Sequence, residues 1–201
     1  MASKINTIIF DLSEVYLNGL YGTHIRINEK YGAKLGDHDM WKMSELRELF
    51  TGQITEDQYW QSVINKFDIN ADIEGLKQAV RENFKEIEGT RNIIESLNTN
   101  GYKLGLLSDH ARDWVQHCET NFDYHKLFHS VLYSFEVETC KPDRLVFEKI
   151  LEKLEAQPEQ TLFIDDWPPN LEQASKLGIK TIQFQTATIL NSDLRKLGIN
   201  I

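Results

Sequence analysis

Ile8-Ile9-Phe10-Asp11-Leu12-Ser13-Glu14-Val15 is a short apolar run that stops at a carboxylate, and it is the first of three such runs. Leu104-Gly105-Leu106-Leu107 stops at Ser108, and Leu162-Phe163-Ile164 stops at Asp165-Asp166. Brief, wholly apolar runs with β-branched content read as strands buried on both faces, the pattern of a parallel sheet. Open α/β sheets bind ligands outside the carboxyl ends of their strands. The polar residues that end the three runs should therefore meet on one edge. Lys141, expected to open a helix between the second and third runs, should join them there. An acid, a hydroxyl, a lysine and an acid pair suit a phosphate and a divalent cation.

Working outward, residues 5–12 read as the first strand. From about residue 20 to 88 apolar residues recur at helical spacing, as in Tyr59, Trp60, Val63, Ile64 and Phe67, without strand-like alternation. This segment is expected to be an inserted all-helical unit, with Trp41, Trp60 and Phe67 in its core. Gly89-Thr90 starts a helix that stops near Gly101, where glycine can take the left-handed conformation. A strand over 102–107, a helix over 110–121, a strand at Val131-Leu132-Tyr133, a helix from Pro142 to about Leu154 and a strand over 161–165 follow. Asn170 has the character of a helix cap, with Gln173 three residues on, and Gly178 ends that helix before a last strand from Ile179 to Phe184. Alternating strands and helices imply right-handed crossovers. The expected fold is an α/β, Rossmann-like parallel sheet core, residues 1–19 and 89–201, with a helical cap at 20–88.

Composition sets the outer bounds. The 201 residues are 41% hydrophobic and 26% charged, the texture of an ordinary globular chain. A net charge of −9 opposes nucleic-acid binding, which needs a concentrated basic surface. The chain has two cysteines, Cys118 and Cys140, with no framework spacing, no apolar stretch of membrane-spanning length, and a start, Met1-Ala2-Ser3-Lys4, too short and polar for a signal sequence. A cytoplasmic protein with no membrane or nucleic-acid partner is expected. The oligomeric state is left open.

Phe10-Asp11-Leu12-Ser13-Glu14-Val15, Leu107-Ser108-Asp109, Cys140-Lys141-Pro142-Asp143 and Phe163-Ile164-Asp165-Asp166, in this order and spacing, resemble the haloacid dehalogenase-like hydrolases. The inserted helices resemble the cap of subfamily I members, and the branches nearest in tone are the sugar-phosphate phosphatases and the phosphatase domain of soluble epoxide hydrolases. The resemblance implies that Asp11 is a nucleophile forming an aspartyl-phosphate. It implies Mg²⁺ held by Asp11, the Ser13 carbonyl and Asp166, with Asp165 in an outer role. Lys141 and Ser108, with Asp109 beside it, would hold and orient the phosphate. Trp41, Lys42 and Arg47 are the cap candidates for contact with a small phosphorylated metabolite, for which a sugar phosphate is the expected class.

Ser13 breaks the pattern, because most phosphatases of this family carry there an aspartate that protonates the leaving oxygen. A lost general acid typically forfeits about 10²–10⁴-fold in rate. The alternatives are slow turnover, reliance on good leaving groups or on Glu14, and a silent phosphate-binding protein. Dehalogenation of 2-haloacids, which needs no metal, is the competing reaction. Two further patterns are discounted. Ser108-Asp109-His110 has the letters of a hydrolase triad but not the separation that lets side chains converge, and although His125 and His129 are four apart, as on one helical face, no second cysteine lies near His117-Cys118 to complete a zinc site.

Overall fold

The computed structural model describes residues 4–201; Met1-Ala2-Ser3, the start of the expected core segment, lies outside the described residues. Five parallel strands, β1 (Thr7–Phe10), β2 (Lys103–Ser108), β3 (Ser130–Tyr133), β4 (Thr161–Asp165) and β5 (Lys180–Gln183), are ordered β3-β2-β1-β4-β5. Phe10 is level with Leu106 on one side and with Ile164 on the other. Asp11 continues the pairing by donating its N–H to the Ile164 carbonyl at 2.9 Å. The chain thus runs from β1 toward β3 and then crosses to β4, and β1 and β4 flank the point where the winding reverses, the place where such sheets bind ligands.

The pleat sends alternate side chains of β1 to two cores. Ile8 and Phe10 join the larger one. Ile9 packs with Leu107, Phe147 and Phe163 in the smaller, where the last two rings meet edge to face at 5.4 Å. Helices α8 (Arg144–Leu154) and α9 (Pro168–Lys176) cover this second face; α5 (Thr90–Thr99) and α10 (Ala187–Lys196) lie against the other. Between β1 and α5 stand α1 (Thr23–Tyr31), α2 (Ser44–Phe50), α3 (Glu56–Phe67) and α4 (Ile73–Arg81), the helical cap. The chain leaves and re-enters the core side by side. Asn18 donates to the Lys85 carbonyl at 2.9 Å and Ile87 to that of Tyr16 at 2.8 Å.

Some local expectations shift. The helix expected at Pro142 begins at Arg144, because the Asp143 side chain accepts the Leu145 N–H and so caps it there. The helix expected to be capped by Asn170 begins earlier, with Pro168 and Pro169 in its first turn, where a missing N–H costs nothing. The helix expected from 110 is α6 (Arg112–Phe122), and two α-helices had no counterpart in the sequence reading, the single-turn α7 (Ser134–Val137) and α10. Trp60 is fully buried, as expected of a cap core residue, whereas Trp41 is exposed.

Candidate active site

At the carboxyl edge of β1, Lys141 is the hub. Its ammonium lies 2.9 Å from Asp11 Oδ1 and 2.8 Å from Asp165 Oδ2, and it donates to the Leu107 carbonyl at 3.3 Å. Burial opposes its charge, but Asp11, Asp165 and Asp109 more than offset this and hold it protonated. Asp11 Oδ1 also accepts the Leu12 N–H at 2.7 Å. Asp165 is satisfied on both oxygens: Trp167 N–H reaches Oδ1 at 2.7 Å, and the Asn170 side-chain amide spans the two at 3.2 and 3.0 Å. Asn170 is therefore no cap. It orients an acid from inside α9, a role that only an asparagine one turn beyond the acid pair could have signalled.

Carboxylate oxygens of Asp11, Asp165 and Asp166 can all lie within 4.8 Å of one another. Three acids face one ammonium, so the cluster is short of positive charge. Burial, with Asp165 and Asp166 beside it, pushes the Asp11 carboxyl well above the usual range, Lys141 pulling the other way. Asp166 is pushed up to about 6, first by burial and then by Asp165. The Ser13 carbonyl accepts no hydrogen bond among the described residues. Oxygen donors, crowded negative charge and a free carbonyl are a fit for a hard divalent cation. Asp165, already satisfied, is the least available of the three acids as a direct ligand.

The other candidates divide. Ser108 is buried beneath the site, outside the cavity lining, and its hydroxyl has no partner. Asp109 accepts the Lys141 backbone N–H at 3.1 Å, and burial lifts it to about 6. Arg47, from α2, lines the cavity and lies close enough to Asp109 for its charge to oppose that lift. Trp41 lines the cavity; Lys42 is exposed outside it. Glu14 also lines it, in the left-handed region at φ 58° and with its carboxylate accepting the Gly19 N–H at 2.8 Å. The cavity, about 770 Å³, lies between these residues and the cap.

The discounted patterns do not assemble. His110 is buried, its Nδ1 accepting the Ala111 N–H at 3.1 Å. His125 Nε2 meets the Tyr133 hydroxyl and His129 Nδ1 accepts from the Leu104 N–H. Among the described residues the metal-capable cluster found is the acid trio.

Comparison with known proteins gives the family and the fold. The family described as haloacid dehalogenase-like hydrolase matches residues 8–184. Flavin mononucleotide hydrolase 1 of Arabidopsis thaliana is 27% identical over 135 residues, 65% of this chain; the chain spans about half of that relative, 53%. Pyrophosphatase PpaX of Bacillus mycoides is 26% identical over 185 residues, 89% of this chain and 83% of the relative. A HAD family enzyme from Bacteroides thetaiotaomicron, solved in complex with magnesium and inorganic phosphate, shares the fold with a TM-score of 0.74 at 20% identity, covering 90% of this chain and 95% of its own. Among the described residues no helix is long and apolar enough to cross a membrane.

Proposed function

This chain belongs to the haloacid dehalogenase-like hydrolases, and we propose that within that family it is a Mg²⁺-dependent phosphomonoester hydrolase acting on a small phosphorylated metabolite. The observation that carries this reading is the acid trio around one ammonium. In a dehalogenase, which attacks carbon without a metal, so many carboxylates would only repel a carboxylate substrate.

Asp11, Asp166 and the Ser13 carbonyl would hold Mg²⁺, with Asp165 fixed behind them by Lys141, Asn170 and the Trp167 N–H. Bound there, the ion would relieve the repulsion between carboxylate and phosphate dianion. Lys141 brings a fixed positive charge against Asp11; the Ser108 hydroxyl, unpartnered but buried behind the cavity lining, would orient a phosphate oxygen only after a small local shift. Arg47 supplies a second cation from the cap side. Asp11 then attacks phosphorus, and water later hydrolyses the aspartyl-phosphate, splitting one hard step into two easier ones.

We assign residues 1–19 and 89–201 to the core and 20–88 to the cap. The backbone bonds that tie Asn18 to Lys85 and Tyr16 to Ile87 support boundaries there. A cytoplasmic location goes with the free, buried Cys118 and Cys140.

The test is phosphate release from acetyl phosphate and a panel of metabolite phosphates, with Mg²⁺ and with a chelator. Wild type should need the metal, and Asp11→Asn should lose at least about 10³-fold, the scale of removing a nucleophile. Equal activity of the two proteins would refute the assignment. Ser13→Asp separates a poor catalyst from a silent binder: a gain of about 10²-fold or more is expected where one acid is missing from an intact site.

A further inference from the structure

The cavity is larger than a phosphate needs, and its far walls are aromatic. Among the described residues the exposed large hydrophobic side chains are Tyr21, Ile25, Trp41, Leu145, Trp167, Ile189 and Leu197; the three aromatic ones all line this cavity. Trp41, 39% exposed, comes from the loop before α2, and Trp167, 59% exposed, from the core side. Exposed aromatic side chains concentrated at one cavity mark a binding surface.

Trp167 is held firmly. Its backbone N–H is fixed by Asp165, two prolines follow it, and it occupies the cap position of α9 without offering a capping side chain. A serine or aspartate there would stabilise the helix more; the indole offers α9 no cap and stands one residue from Asp166. Met43, Leu46 and Phe50 fill the adjoining wall. Hydroxyls of a polyol placed against them would lose hydrogen bonds to water without replacement.

The second observation is independent of the walls. Residue 13 is a serine where the family resemblance implies a proton-donating aspartate, and the neighbouring Glu14 carboxylate is engaged by the Gly19 N–H. A phenolic oxygen, with a pKa of about 10 as in tyrosine, leaves as an anion far more readily than an alkanol oxygen, whose acidity is nearer that of water at about 15.7. Both observations select the same kind of substrate.

We propose that the substrate is a phosphate monoester of a planar aromatic hydroxyl, an aryl or heteroaryl phosphate, whose ring is held by Trp41 and Trp167. The proposal rests on the phosphatase reading above. The Asp11 carboxylate oxygen bonds to phosphorus as the bond from phosphorus to the aryl oxygen breaks, and the electron pair leaves on that oxygen, delocalised into the ring. Water then cleaves the aspartyl-phosphate. One of its protons goes to the aryloxide, and Asp11 returns as carboxylate beside inorganic phosphate.

The experiment compares kcat/KM of the full chain with Mg²⁺ for 1-naphthyl phosphate, glucose 6-phosphate and acetyl phosphate. Naphthyl phosphate should exceed glucose 6-phosphate by at least about tenfold. In Trp41→Ala and in Trp167→Ala the ratio of naphthyl to acetyl phosphate should fall about tenfold, mainly through KM, the scale of a lost aromatic contact. Trp167→Phe should retain most of it, which separates ring contact from misfolding. A preference for glucose 6-phosphate, or a ratio unmoved in both alanine variants, would overturn the proposal. If none of the three is hydrolysed, the phosphatase reading fails by itself. Calorimetric binding of 1-naphthylphosphonate against methylphosphonate still decides the aromatic subsite: tighter naphthyl binding supports it, and equal binding ends it.

Discussion

His110 shows what one buried side chain does to the pH response. It is packed among Phe50, Phe84 and Trp114, and burial pushes its pKa down to about 4. The unfolded chain binds its proton near pH 6.5. Between those values the unfolded state therefore carries the extra proton, and stability must fall as pH falls. His110 alone should remove about 2 kcal/mol between pH 7 and pH 5. Asp109 and Asp166, pushed up to about 6, act in the opposite sense, losing stability as pH rises through that range. Urea unfolding of wild type and His110→Phe at both pH values isolates the histidine, and the variant should lose about 2 kcal/mol less on acidification. At this scale the sequence shows Asp11 and Asp165-Asp166 as acids closing buried runs and Lys141 as a lysine expected to open a helix, and the fold brings them together. Asn170 and Trp167 were not legible, because their significance depends on where α9 starts, and the prolines moved that start.

Elements were legible where burial is two-sided. β1, β2 and β4 are continuous apolar runs, and their limits in the structure lie within a few residues of those expected. α10 escaped because just two of its residues, Leu190 and Leu194, are buried, too thin a stripe to stand out, although Thr186 caps it by accepting the Ile189 N–H. α7 is a single turn with a tertiary cause: the Ser134 hydroxyl donates to the Phe50 carbonyl at 2.5 Å and accepts the His110 N–H at 3.1 Å. Within β2, Gly105 carries a packing constraint that the strand pattern hides. A Cβ there would lie 2.6 Å from Leu154 Cδ1 of α8 and 3.4 Å from Ile9 Cγ1. Gly105→Ala should destabilise by about 1–3 kcal/mol, as overpacking does, despite the gain in backbone entropy. Leu154→Ala should cost less in that background than in wild type, because the two residues compete for one space. Urea midpoints of the four proteins read out this coupling, and additive losses would contradict it.

Across the whole molecule, the cap is anchored through Glu56, whose buried carboxylate gathers donors from three helices. Trp60 of α3 reaches Oε1 at 3.1 Å, Trp114 of α6 reaches it at 2.7 Å, and Arg81 of α4 spans both oxygens at 2.9 and 2.7 Å. Trp114 belongs to the core, so one acid joins two cap helices to the helix that follows β2. The sequence could place a cap between β1 and α5 from its helical spacing. It could not show how the cap docks, since Glu56 reads as an ordinary first-turn acid of α3. In Glu56→Gln, one amide must replace an acceptor of four hydrogen bonds, and its NH₂ faces the guanidinium. We expect a loss of about 3 kcal/mol, the lower end for breaking a buried ion pair, because Arg81 keeps some access to water. The consequence should be confined at first to the cap. Amide hydrogen exchange should quicken over residues 44–81, while β1, β2 and β4 keep their protection. Since α2 packs on α3 and carries Arg47 into the cavity, kcat/KM for acetyl phosphate should fall in parallel. Uniformly faster exchange across sheet and cap would mean instead that Glu56 supports the fold as a whole.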